Sequence, residues 1–274
     1  MPELPEVETV KRGLSDLVVG LTIESVEIRL PTLPRGQTPG EFIKILTGAK
    51  IMGVKRRAKM LVLSTSKGDL VVHLKMSGRF IYCQKDCIEE KHTRAILYLD
   101  NGYQLRFADM RKFGFFRLVE GNAFEVAPEL QGLGPEPLTM SLDDFKTMLE
   151  SKRKSVRPIK LILMDQKFIA GIGNIYADEI LFDAKVLPTR PTGSLTEKEI
   201  QSLLNSIKKE LKEAIINGGT SFDLFVDSGG SKGSHQDKLK VYQRGSDECY
   251  ICNAPIKKIK LGGRGTHFCS QCQV

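Results

Sequence analysis

Apolar positions along the chain change their spacing as the chain proceeds, and each change marks a change of architecture. Val7, Val10, Leu14 and Leu17 recur at the three-and-four spacing of one helix face, with acids early and Lys11 and Arg12 later, which predicts a helix over residues 3–18. After Gly20 the spacing drops to two: Val26, Ile28 and Leu30 alternate with polar residues, and so do Leu70, Val72, Leu74 and Met76. Ala95, Leu97 and Leu99 run into Asp100-Asn101-Gly102 and leave through Leu105 and Phe107, the pattern of a hairpin with a tight turn. Short strands at regular intervals with little helix among them predict a β-sandwich to about residue 130.

Gly132-Leu133-Gly134-Pro135-Glu136-Pro137 breaks both periods and reads as a linker. Helical segments follow at 141–151, 158–166 and, after the Gly171-Ile172-Gly173 turn, 174–184. Thr196-Glu197-Lys198-Glu199 is a capping box opening a longer helix with Ile200, Leu203, Leu204, Ile207, Leu211 and Ile215 on one face, stopped by Asn217-Gly218-Gly219. The polar, glycine-containing stretch 218–237 has no period of its own and reads as a lid or tether. The expected architecture is α+β in two domains: a sandwich with an N-terminal helix over 1–131, a linker at 132–137, a helical domain over 138–237, and a cysteine-bearing appendage over 238–274.

The composition, 41% hydrophobic and 27% charged in 274 residues, is that of a soluble globular protein. With no membrane-length apolar run and no signal peptide ahead of the Pro-Glu-rich start, a cytoplasmic location is expected. The net charge is +8, and +5 of it lies between Lys238 and Val274, which points to a polyanionic partner. Among six cysteines, Cys249-x2-Cys252 and Cys269-x2-Cys272 enclose a glycine-rich basic spacer, the arrangement of one structural zinc ion held by paired knuckles. Cys83 and Cys87 have no further ligand nearby and read as two reduced thiols.

The start, Met1-Pro2-Glu3-Leu4-Pro5-Glu6-Val7-Glu8, carries two readings. Proline followed by acids suits the first turn of a helix. Once Met1 is removed, Pro2 is also an N-terminal secondary amine beside carboxylates, a nucleophile for an electrophilic carbon.

Three stretches, taken in order, resemble bacterial formamidopyrimidine-DNA glycosylase: residues 2–9, the central Gly171-Ile172-Gly173-Asn174 run through Glu179, and Gly263-Arg264-Gly265-Thr266-His267 inside the zinc hairpin. The resemblance spans the chain. It implies a β-sandwich, a helix–two-turns–helix module and a zinc finger acting on damaged double-stranded DNA, with excision of 8-oxoguanine and formamidopyrimidines and cleavage of the strand. By the same resemblance Pro2 is the Schiff-base nucleophile, Glu3 the general acid–base, Lys59 the residue of β-elimination and Arg264 that of δ-elimination. Glu6 matches a second carboxylate that is either structural or a proton carrier. Met76, Arg111 and Phe113 match the triad that fills the gap left by a flipped nucleotide, apolar wedges flanking a guanidinium for the unpaired cytosine. Asn174, His73, His92 and Tyr242 match DNA contacts, as do Arg157 and Lys160, although Pro158 shifts the usual basic pattern and leaves open which of Lys154, Arg157 and Lys160 meets phosphate. Gln243 stands where glycine is more usual. An endonuclease VIII-like enzyme for oxidised pyrimidines and a non-catalytic zinc-finger lesion binder are the alternatives, and a monomer is expected.

Overall fold

In the computed structural model, which describes residues 1–221 and 233–274, the first helix, α1 (Leu4–Val18), forms where the helical period predicted it. The expected lid at 218–237 therefore lies largely outside the described residues. Glu3 is the N-cap of α1, Pro5 occupies an early position where its missing N–H costs nothing, and Glu6 closes a capping box by accepting the Glu3 N–H at 2.7 Å. Pro2 thus lies ahead of the cap, and the helix-starting role belongs to Pro5.

The chain forms two compact units, one of Met1–Gly132 with Asn217–Ser234 and one of Leu133–Ile216 with His235–Val274. The first contains β1 (Thr22–Ile28), α2 (Pro39–Leu46), β2 (Ala49–Arg57), β3 (Met60–Thr65), β4 (Gly68–His73), β5 (Gly78–Gln84), β6 (Thr93–Leu99), β7 (Tyr103–Asp109), β8 (Phe115–Val119) and the short α3 (Ala123–Val126). Its strands pair antiparallel in the order β5-β7-β6-β1-β2-β3-β4-β8. β1 and β2 are joined through Thr22–Lys50 and Ile23–Ala49, a narrow seam at which the sheet folds over. Phe116 of β8 consequently lies 4.8 Å from Phe107 of β7 and 6.1 Å, ring to ring, from Phe80 of β5, although these strands are at opposite ends of the order. The two layers share one core, including Leu63, Val72, Leu97 and Leu105, and this is the expected sandwich.

One strand ends earlier than its alternation predicts. β4 stops at His73, and Leu74–Ser77 is a turn closed by the Gly78 N–H on the Leu74 carbonyl at 2.9 Å. Met76 stands 44% exposed on that turn instead of continuing the strand.

The second unit holds α4 (Leu142–Glu150), α5 (Ile159–Leu163), α6 (Asn174–Asp183), α7 (Glu197–Ile216) and a hairpin of β9 (Lys257–Leu261) and β10 (Arg264–Phe268). Residues 175–182 of α6 are all buried, and they include two acids. Asp178 accepts the His267 N–H at 2.9 Å and pairs with Lys160 at 2.7 Å, while Glu179 accepts the N–H groups of Lys240, Val241 and Tyr242 at 2.8, 2.9 and 2.7 Å. Lys160, expected at a phosphate, is corrected here. Its ammonium is fully buried and donates to the Thr266 hydroxyl at 2.7 Å and the Gly265 carbonyl at 3.2 Å, so it fastens β10 to α6 and does not reach solvent.

Among the described residues, no helix is long and apolar enough to cross a membrane. Lys160→Ala leaves Asp178 as a buried charge without its cation, and equilibrium unfolding should show a loss of about 3–5 kcal/mol. A loss below about 1 kcal/mol would place the pair in the class of exposed bridges.

Candidate functional site

At the head of α1, Pro2, Glu3 and Glu6 are all buried. Glu6 gives one carboxylate oxygen to the Glu3 N–H and the other to the Thr220 N–H at 2.8 Å. Gly219 makes that approach possible, since at its φ of +79° a Cβ would sit 2.9 Å from the Glu6 carboxylate. The residue expected to be either structural or proton-carrying therefore ties the start of α1 to the Gly219-Thr220 backbone.

Lys59 follows the left-handed Ala58 in the β2–β3 turn and is buried. The turn is anchored to α1 through Arg56, which donates to the Glu8 carboxylate at 2.8 Å and the Ala58 carbonyl at 3.0 Å. Burial would raise the Glu8 carboxyl, but Arg56, Arg12 and Lys11 outweigh it and hold the group below the ordinary range. Arg56 thus fixes the Lys59 turn against α1, the helix that follows Pro2 and Glu3.

His73, at the end of β4, is held at a pKa of about 3 by burial and by the positive Lys75, Lys59 and Arg35. Its Nδ1 accepts the Lys75 N–H at 2.9 Å, so the neutral ring carries its proton on Nε2 and can donate there. Arg35 stacks 3.6 Å over Phe115, whose ring lies 5.6 Å from that of His73. His92 is partly exposed, its Nδ1 within 3.5 Å of the Arg94 guanidinium.

Met76, Arg111 and Phe113 come from two turns joined by one carboxylate. Asp109 is 1% exposed and accepts the Ser77 hydroxyl, the Arg111 N–H at 3.2 Å and the Gly114 N–H at 2.8 Å. Ser77 in turn accepts the Arg111 N–H at 2.9 Å, so the Met76 turn and the 110–114 turn are held together from beneath. Gly114 is required by crowding: a Cβ there would lie 2.7 Å from the Phe107 ring. Above this base Phe113 is 51% exposed, with the Arg111 guanidinium 5.0 Å from its ring centre.

In the second unit, Asn174 and Tyr242 line a pocket of about 470 Å³ with Lys258, Gly265 and His267. Asn174 begins α6, donates from its amide to the Gly265 carbonyl at 3.0 Å, and keeps a buried Oδ1 without a partner among the described residues. Gln243 holds φ +61°, a left-handed conformation that favours glycine. Arg264 is exposed at the start of β10, just past the hairpin tip. Arg157 is exposed and paired with Asp165 at 3.1 Å, and Lys154 is exposed.

Cys249, Cys252, Cys269 and Cys272 bring their sulfurs within 4.8 Å of one another, two pairs lying at 3.8 and 3.4 Å. Zn–S bonds of about 2.3 Å put tetrahedral sulfurs about 3.8 Å apart, so the donor set fits one zinc ion.

Sequence patterns missed the residues that hold these groups in place. Each of Asp109, Ser77, Arg56 and Asp178 has at least one partner distant in the chain, Ser77 for Asp109, Asp109 and Arg111 for Ser77, Glu8 for Arg56 and His267 for Asp178, and neither periodicity nor local motif signals such a bond.

Known proteins show the same organisation. The formamidopyrimidine-DNA glycosylase N-terminal domain matches residues 1–116, the formamidopyrimidine-DNA glycosylase H2TH domain matches 133–226, and the zinc finger found in FPG and IleRS matches 246–274. The chain is 42% identical to formamidopyrimidine-DNA glycosylase of Listeria monocytogenes and 39% identical to that of Geobacillus kaustophilus, with full coverage of both chains in each case. It superposes with a TM-score of 0.92 on Lactococcus lactis Fpg in complex with abasic-site DNA, at 39% identity and 99% coverage of each chain. It is equally similar, at TM-score 0.92, to a point mutant of that protein bound to DNA containing Fapy-dG, and at 0.91 to the wild type bound to DNA containing an oxidised pyrimidine.

Asp109→Ala should orphan the buried Gly114 N–H at a cost of about 1–3 kcal/mol, and amide exchange at Gly114 should accelerate at least about tenfold. Unchanged exchange there would mean the turns hold without the carboxylate. Burial, with Glu210 nearby, pushes Glu179 up to about 7 against the three N–H donors that favour its ionised form. A raised carboxyl stabilises the fold fully below its unfolded value near 4.5 and loses that contribution as pH rises through about 7. Between pH 5 and pH 8, the melting temperature of the wild type should therefore fall relative to Glu179→Gln, which does not titrate; parallel curves would contradict the shift.

Proposed function

The chain belongs to the formamidopyrimidine-DNA glycosylase family, and we propose that it excises oxidised purines, 8-oxoguanine and formamidopyrimidines, from duplex DNA through a Schiff base on Pro2 and then cleaves the strand by β,δ-elimination. It is a DNA-repair glycosylase with a zinc finger. The observation that carries the finer reading is the placement of Pro2, outside the helix and directly before the buried N-cap Glu3.

Attack at the sugar C1′ requires the damaged nucleotide to leave the stack. Met76 and Phe113 then fill the vacated space and Arg111 faces the unpaired cytosine, on turns already held by Asp109. The Pro2 nitrogen bonds to C1′ as the glycosidic bond breaks, with Glu3 moving protons for departure of the base and opening of the sugar ring. An N-terminal amine suits this step because its ordinary pKa, about 7.7–8.0, lies far below lysine's, about 10.4. The resulting iminium acidifies C2′, and loss of that proton expels the 3′ phosphate, the step assigned to Lys59; Arg264 serves the second elimination, which releases the 5′ phosphate.

Phosphates near the lesion are held by the His73 Nε2–H, Asn174 and Tyr242, with further contacts from His92 and Arg157. Lys154 takes the place vacated by buried Lys160. Zinc supplies structure to the finger that carries Arg264. A monomer working on the nucleoid in the bacterial cytoplasm fits this reading.

Borohydride present during incubation with an 8-oxoguanine:cytosine duplex should trap a covalent complex in protein that has lost Met1. Pro2→Gly should slow trapping at least about a hundredfold while changing DNA affinity by less than about threefold, as expected for loss of a nucleophile; protein retaining Met1 should bind and fail to trap. Absence of any trapped complex with processed protein would leave a lesion binder, and a clear preference for thymine glycol would identify an oxidised-pyrimidine enzyme.

A further inference from the structure

The edge strand β5 and the turn after it carry the chain's second set of thiols. Cys83 is opposite Gln104, and Ile81 opposite Arg106, in the β5–β7 ladder, so Cys83, Gln104 and Arg106 lie on the face turned away from the core side of Phe80, Leu105 and Phe107. The chain then turns back over this outer face. The Cys87 N–H bonds to the Gln84 carbonyl at 3.2 Å, Gln104 donates to the carbonyls of Gln84 and Lys85 at 3.1 Å each, and Arg106 donates to those of Cys87 and Ile88 at 2.9 Å each. Glu89 and Glu90, next along, are paired to Arg29 and Arg79. The turn is thus anchored from below and at its exit, it brings the Cys87 side chain into interaction with that of Cys83, and both thiols are half-buried.

Arg106 adds an independent observation. It is 3% exposed, lies close enough to Cys83 to act on its charge, and its buried Nε–H has no hydrogen-bond partner among the described residues. A buried guanidinium with an unused donor suits a neighbouring sulfur that passes through an anionic state.

We infer that Cys83 and Cys87 form a reversible disulfide, a redox-modification site distinct from the zinc-binding thiols, with a hydroperoxide as oxidant. Cys83 is held in the β5–β7 ladder, where burial and the neighbouring Cys87 raise its thiol, and Cys87, on the turn outside the ladder, is the sulfur placed to meet the oxidant. The Cys87 sulfur attacks one peroxide oxygen, the O–O bond breaks and the departing oxygen takes the thiol proton, giving Cys87 sulfenic acid and water from hydrogen peroxide, or the alcohol from an organic hydroperoxide. The Cys83 sulfur then attacks that of Cys87, the S–O bond breaks, and the hydroxyl leaves as water with the Cys83 proton. Two thiols have lost two electrons, the peroxide has gained two, and the Arg106 Nε–H stabilises the Cys83 sulfur as its proton departs. A dithiol reductant reverses the bond by exchange.

Cleavage after Arg79, Lys85 and Lys91 separates the two cysteines onto Phe80–Lys85 and Asp86–Lys91. Zinc-loaded full-length protein is treated with stoichiometric hydrogen peroxide, blocked with iodoacetamide and digested with trypsin. The expected product is these two peptides joined, two hydrogens lighter than the separate thiol peptides and split by dithiothreitol, with the finger cysteines unlinked. Recovery of both peptides separately alkylated, as sulfinic acids, or joined only to finger peptides would overturn the inference. In Cys83→Ser, dimedone should label Cys87 after peroxide; an unlabelled Cys87 would overturn the order of the two steps.

Discussion

A carboxylate taken out of water must find donors around it, and in this chain those donors are largely backbone N–H groups of turns and element ends. Glu6 holds Glu3 and Thr220, Asp109 holds Arg111 and Gly114, Asp178 holds His267, and Glu179 holds 240–242. Each bond is satisfied in one loop geometry and lost in others, so the acid selects that geometry. Loops would otherwise be the most mobile parts of the chain. Here they are fixed, and at Arg111 the side chain still remains outward.

Crowding supports the same selection. The Met76 and 110–114 turns sit over Phe107, close enough that a Cβ at Gly114 would collide with its ring. The aromatic core of the sandwich is therefore also the floor of the exposed triad, and Asp109 fastens the two turns to it and to each other. In the other unit Lys160 has the corresponding place, joining α6 to β10 near the residues that line the Asn174 pocket.

What could be read from the sequence was what is encoded locally. The first helix, the Asp100-Asn101-Gly102 hairpin, the long capped helix and the paired knuckles each depend on spacing within one short segment, and each formed. Met76 misled because alternation does not specify where a strand stops, and the Gly78-to-Leu74 bond that ends it looks in sequence like continued strand. Lys160 misled because a lysine in a basic stretch has the same pattern whether it faces phosphate or is buried against an aspartate near in space and distant in sequence. β3 is buried on both faces along most of its length, so it offered no alternation to detect. The supporting acids were illegible for the same reason as Lys160, since their partners lie as far away as Glu6 is from Thr220.

The Pro-Glu-rich start shows how one segment satisfies two demands. A helix needs its first N–H groups capped, and Glu3 with Glu6 does this while Pro5 removes one donor from the requirement. Because those residues complete the helix start, Pro2 has no part in it and its nitrogen is available for other chemistry once Met1 is gone. The capping carboxylate also accepts the Thr220 N–H, early in the 218–237 stretch. The backbone at the start of α1 and the Gly219-Thr220 backbone are thus held by opposite oxygens of a single side chain. A displacement at either one changes the hydrogen-bonding of the other, and this coupling requires no residue beyond Glu6 and the glycine that lets the loop approach it.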